Sequence, residues 1–91
     1  MTPSKRRIYL TGALAARDFL CRTQSDMRRH RQYTPDALRW ELAYTGIHPP
    51  EFRRGFLDAI GAYVLMMLEG CQVNPETWEV LTAGEWAGER Q

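Results

Sequence analysis

The sequence predicts an all-α fold, a small bundle of about four helices built on one long central hydrophobic helix, and three observations carry that expectation. Residues 49–70, PPEFRRGFLDAIGAYVLMMLEG, place apolar or small side chains over about two-thirds of a helix circumference at about 100° per residue. An earlier stretch carries Ala13, Ala16, Phe19, Leu20, Thr23 and Met27 on one face and Arg17, Asp18, Arg22, Ser25 and Arg29 on the other. Third, a proline follows an N-capping residue in both Thr34-Pro35 and Asn74-Pro75, which is how helices begin.

The 91 residues suit a single domain spanning 1–91, with 44% apolar and 25% charged residues, the balance of an ordinary globular chain. Such a domain buries only about 60 to 65% of its unfolded surface, so oligomerisation would add stability. The net charge of +1 is unevenly distributed: residues 1–54 hold eleven Lys/Arg against five Asp/Glu, and residues 55–91 hold one against six. That asymmetry is expected to complement itself within the fold or between copies, with presentation to an acidic partner as the alternative.

In chain order, Lys5, Arg6 and Arg7 precede Ile8, Tyr9 and Leu10, a run compatible with an extended arm or a first helical turn. Residues 1–10 are taken as a flexible arm and 84–91 as a flexible tail. The first helix is expected from residue 12 or 13 to about 30, with Asp18–Arg22 and Arg22–Asp26 as exposed i,i+4 pairs. Its end carries Arg28, Arg29, His30 and Arg31, where cations are favoured by the helix dipole.

Thr34, Pro35 and Asp36 then supply an N-cap, an N1 proline and a first-turn acid for a short second helix running to about Tyr44. Within it Leu38 and Leu42 stack at i,i+4, as do Trp40 and Tyr44, and Gly46 is expected to end it in the left-handed conformation. A helix of about ten residues is marginal alone and must dock on the long one. His48-Pro49-Pro50 forms a stiff connector, with His48 expected as an N-cap or turn residue. The fourth helix is expected from Pro75 to about Ala83, turning Trp78 and Leu81 inward.

Catalytic and metal signatures are missing from the sequence: there is no GxSxG, no HExxH and no glycine-rich phosphate loop. Cys21, His30, His48 and Cys71 match no zinc spacing, and neither histidine has a neighbouring acid to orient it as a base. No enzymatic activity, cofactor or metal is therefore expected. Two cysteines fifty residues apart suit reduced thiols, with a single bridge between them left open. Arg17 and Asp18 interrupt any signal-type apolar core, and the longest apolar run, residues 59–68, is half of the about 20 residues a membrane span needs. A cytoplasmic protein without a membrane segment is the expectation.

Three Trp, four Tyr, three Phe and four Met exceed what one small core requires, and they are types enriched at interface centres. The chain is accordingly read as a non-catalytic bacterial or phage-type regulator that binds and inhibits a larger protein, for example an anti-activator occupying a transcription factor's dimerisation surface. It is expected to be a homodimer through the long helix. The candidate partner or dimer contacts are Phe52, Phe56, Tyr63, Val64, Met67, Leu68, Trp40, Trp78 and Trp86. Gly55, Ala59 and Ala62 form a stripe along which another helix, in the same chain or a second one, can approach closely. The alternative is a nucleic-acid-associated protein that contacts phosphates through Arg28, Arg29 and Arg31. A helix-turn-helix is disfavoured, because its recognition helix would offer Phe52, Phe56, Ala59 and Ile60 to base edges.

Overall fold

The structure, a computed structural model, describes residues 2–30, 36–71 and 74–79. Among these, α1 spans Pro3–His30, α2 spans Asp36–Thr45 and α3 spans Pro50–Leu68. The all-α class is as expected, but the helix count is three rather than four. The longest helix is α1, whose 28 residues extend about 42 Å at 1.5 Å per residue, and not the apolar α3 of 19.

The expected arm is helical because it begins with the same device that marks the second helix. Thr2 caps the chain, its hydroxyl accepting a hydrogen bond from the Lys5 amide at 3.2 Å, and Pro3 occupies the first helical position. Tertiary contact then fixes the turn: Tyr9 is 1% exposed, and its hydroxyl donates to Asp58 Oδ2 of α3 at 2.6 Å.

Helices α1 and α3 cross where each places a glycine against the other's backbone. A Cβ on Gly12 would fall on the carbonyl of Phe52, and a Cβ on Gly55 on the carbonyl of Tyr9, well inside van der Waals contact. Only glycine permits this approach. Around the crossing, Tyr9, Ala13, Ala16 and Phe19 of α1 meet Phe52, Phe56 and Ala59 of α3, all buried, with the Phe19 and Phe56 rings 6.1 Å apart and tilted by 46°. Each buried phenylalanine contributes about 1.5 to 3 kcal/mol through the area it removes from water. The small-residue stripe of α3 is therefore filled at Gly55 and Ala59 by α1 of the same chain.

The ends of α2 and α3 differ in chemistry. After Thr45, the amides of Gly46, Ile47 and His48 bond in succession to the carbonyls of Ala43, Tyr44 and Thr45, which tightens the helix end without any left-handed residue. Gly46 thus does not play the role expected of it; among the described residues the positive-φ glycine is Gly70, at φ 89°. There the amide of Gly70 bonds to the Met67 carbonyl and that of Cys71 to the Met66 carbonyl, a Schellman closure of α3. The backbone of Cys71 closes the helix, while its side chain is exposed.

The start at residue 74 is a true cap of a single described turn. Asn74 Oδ1 accepts from the Glu76 amide at 3.0 Å, and one turn forms over residues 75–77. Trp78 and Glu79 after it are not helical, and Trp78 lies in the core, 8% exposed and 5.7 Å from the Tyr63 ring, while 80–83 of the expected helix lie outside the described residues. Thr34, Pro35, Leu81, Trp86 and the tail at 84–91 lie outside the described residues.

Gly12→Ala and Gly55→Ala should each destabilise the protein by about 2 kcal/mol or more, because the helices must separate to admit the methyl group. Gly61→Ala, where an added Cβ meets nothing within 4 Å, should instead stabilise by about 0.5 to 1 kcal/mol through helix propensity. Urea denaturation of the three variants checks both signs.

Burial and the Asp58 carboxylate raise the Tyr9 hydroxyl well above its ordinary value of 10.0. The folded state therefore favours the protonated phenol. Its contribution is fully present below pH about 10 and declines at higher pH, as the unfolded chain ionises and the folded one does not. Tyr9→Phe should cost about 1 to 2 kcal/mol at pH 7 and remove that alkaline component, as read from denaturant midpoints between pH 7 and 11.

Candidate protein-docking surface

The fold sorts the aromatic and aliphatic side chains into a buried set and two exposed ones. Trp40 is 71% exposed, Tyr44 55% and Ile47 76%. Their spacing of four and three places them on one side of α2 and its terminal turn. What holds α2 against the rest is its opposite side: Leu38 and Leu42 pack at the margin of the core, and the buried Thr45 hydroxyl donates to the Leu42 carbonyl at 2.6 Å. Arg22 of α1 adds an ion pair to Glu41 at 3.2 Å, across helices rather than along its own to Asp18 or Asp26.

His48 anchors the turn after α2. Its ring stacks on Phe52 at 4.1 Å between centroids and meets Tyr44 edge-on at 5.2 Å. It acts as a turn residue, not a cap; α3 begins from Pro49, which offers no side-chain cap. This stack ties the exposed Tyr44 to the buried Phe52, so the α2 side is held on a fixed support.

The second exposed set lies on the outer side of α3. Leu57, Val64, Leu65, Met67 and Leu68 are 43 to 78% exposed, whereas Ile60, Ala62, Tyr63 and Met66 are half-buried against the core. Of the residues expected at an interface, Val64, Met67, Leu68 and Trp40 are accessible and Tyr63 partly so. Phe52, Phe56 and Trp78 are not: they complete the intrachain core, because α1 occupies the face of α3 that the sequence left open to a partner. Trp86 lies outside the described residues.

Arg28 and Arg29 are exposed near the end of α1, and Arg31 lies outside the described residues. The ion pairs Arg17–Asp18, Arg22–Glu41 and Arg39–Asp36 all lie within the basic half of the chain.

Among the described residues, a cleft of about 280 Å³ lies between the three helices and another of about 450 Å³ beside Tyr63 and Pro75. The smaller holds Asp18, Arg22 and Glu41 and the larger Arg28, and neither lining includes a cysteine or histidine that could serve as nucleophile or base. Among the described residues no three His, Cys, Asp or Glu side chains gather as a metal site, and no helix is long and apolar enough to cross a membrane. Cys21 and Cys71 are both free thiols. Burial raises the Cys21 thiol above its ordinary range, against the opposing pull of Arg17, which makes it a poor nucleophile.

Sequence reasoning missed Tyr44 and Ile47 as exposed companions of Trp40, and Leu57 as an exposed leucine of α3, whereas Leu65 already falls on the narrow polar strip of that helix with Glu51, Arg54, Asp58 and Glu69. For the first group the signal was available, since Ile47 continues the Trp40–Tyr44 spacing beyond Gly46. For the second, choosing the outer side of α3 required the position of α1.

At pH 8 Cys71 should react with an aromatic disulfide reagent at the rate of an unhindered thiol, whereas Cys21 should react at least about tenfold more slowly until denaturant is added. Absorbance stopped-flow on Cys21→Ser and Cys71→Ser checks the assignment.

The chain matches no protein-family model, no curated protein and no solved structure.

Proposed function

We propose that this chain is a non-catalytic cytoplasmic regulator that docks on and inhibits a larger protein through the exposed side of α2. The observation that carries the reading is Trp40, Tyr44 and Ile47 together on one face, 55 to 76% exposed, when large apolar residues at such exposure are costly to a marginal domain. Tryptophan and tyrosine are the side chains that most often act as binding anchors. Pairing of two chains through α3 belongs to the same reading, and occupation of a transcription factor's dimerisation surface is one form the inhibition would take. Phosphate contact through Arg28 and Arg29 is the competing reading, supported by their exposure near the end of α1.

Affinity capture from the native host, comparing the wild-type protein with Trp40→Ala and Tyr44→Ala, tests it. A protein retained by the wild type should be lost by both variants, with affinity falling by about 2 kcal/mol, roughly thirtyfold, and circular dichroism unchanged. Neutralising Arg28, Arg29 and Arg31 together should slow association and flatten its salt dependence without abolishing it. The reverse pattern, with steep salt-dependent binding to generic duplex DNA that requires the arginines and ignores Trp40, rejects the docking reading. Trp78→Ala is unsuitable as a probe, because its side chain is in the core.

A further inference from the structure

The exposed side of α3 has a pattern that reads the same from both ends. Arg53, Leu57, Gly61, Leu65 and Glu69 recur every four residues, which sets them in one ridge along the helix and its terminal turn. All five are exposed, with Leu57 at 43% and Leu65 at 60%. About Gly61 the ridge is symmetric in shape, leucine against leucine, and antisymmetric in charge, arginine against glutamate. A two-fold axis through Gly61 therefore maps it onto its own complement.

Gly61 is the informative residue. Gly12 and Gly55 are explained within the chain, since a side chain at either would strike the opposing helix backbone. At Gly61 a Cβ would meet nothing within 4 Å, yet a mid-helix glycine is less favourable than alanine by about 1 kcal/mol. The chain's own packing gives it no role, and a close approach from outside does. Among the described residues, Arg53 and Glu69 take part in no ion pair.

We propose that two copies of this chain pair through α3 in an antiparallel, two-fold arrangement centred on Gly61, with Leu57 of each copy against Leu65 of the other and Arg53 against Glu69. The proposal rests on the pairing of chains in the functional reading above and specifies its geometry. Interdigitating i±4 ridges is the commonest way two helices pack, and it keeps both rows aligned side by side. An isologous contact of this kind requires a self-complementary patch, which the ridge provides, and it leaves the Trp40 side of α2 to a different partner. The four ion-pairing groups sit at the rim, where they set orientation.

The test is a complementation between two charge variants of the full chain, Arg53→Glu and Glu69→Arg, followed by sedimentation velocity from about 1 to several hundred micromolar. Each variant alone juxtaposes like charges twice and should self-associate about tenfold or more weakly than the wild type. Mixed in equal amounts, they regain both opposite-charge contacts and should recover wild-type dimerisation. Gly61→Leu should also weaken dimerisation while leaving the urea midpoint undiminished at protein concentrations low enough for the wild type to be monomeric, since the added side chain meets nothing in its own chain. A wild type that stays monomeric over the whole range overturns the pairing itself. A wild-type dimer whose variants fail to complement, or an Arg53→Glu variant that dimerises as tightly as the wild type, retains the pairing but overturns the antiparallel mode, the latter because parallel ridges would set residue 53 against its own copy, like charge against like before and after the change.

Discussion

Two glycines opposed across a helix crossing determine most of what this protein can be. Gly12 and Gly55 let the backbones of α1 and α3 touch, with Cβ positions that would coincide with the carbonyls of Phe52 and Tyr9. Close approach then sets which side chains can surround the contact. Ala13, Ala16 and Ala59 are small enough to sit beside it, and Phe19, Phe52 and Phe56 fill the wedges where the helices diverge. Dispersion among closely spaced atoms falls steeply with separation, so a displacement of even part of a methyl diameter would loosen every one of these contacts at once.

The rest of the structure is fastened to that crossing at a few points. Tyr9 clamps α1 to α3 through Asp58, using a buried aromatic body for packing and its hydroxyl to satisfy a half-buried carboxylate. His48 carries the α2 turn by stacking on Phe52, and Trp78 covers Tyr63 from the segment that follows α3. Each attachment sets one aromatic group against a residue of α3, which suits a short chain with little surface to bury. A ten-residue helix such as α2 has too few internal hydrogen bonds to persist alone, so His48, Leu38, Leu42 and the Arg22–Glu41 pair hold it in place.

Burying one side of α3 against α1 leaves its outer side and the outer side of α2 uncovered. The two surfaces differ in character. On α2 an aromatic pair and an isoleucine sit above a fixed support, the arrangement of an anchor. On α3 leucines flank an open glycine between opposite charges, the arrangement of a helix that another helix can approach. Reading the protein as a regulator that pairs with itself and docks on something else assigns a role to each.

The sequence by itself determined the helical class, the stop and start around the two prolines before α3, the surplus of large apolar residues, and the buried face of α1 at Ala13, Ala16 and Phe19, though not at Met27, which is 49% exposed. These are local properties: periodicity, caps and proline constraints act within a few residues and need no knowledge of what lies opposite. It also contained, unused, the Thr2-Pro3 cap that makes residues 3–10 helical, a signal identical in kind to Thr34-Pro35. Which of the many apolar positions of α3 are core and which are surface was decided only by the tertiary structure, because a helix apolar over two-thirds of its circumference has more faces than it has partners in its own chain. Phe52 and Phe56 became core, and Leu57 surface, once Gly12 and Gly55 fixed where α1 crosses. The burial of Trp78 against Tyr63 was likewise a non-local outcome, whereas the Asn74 cap before it is a local one.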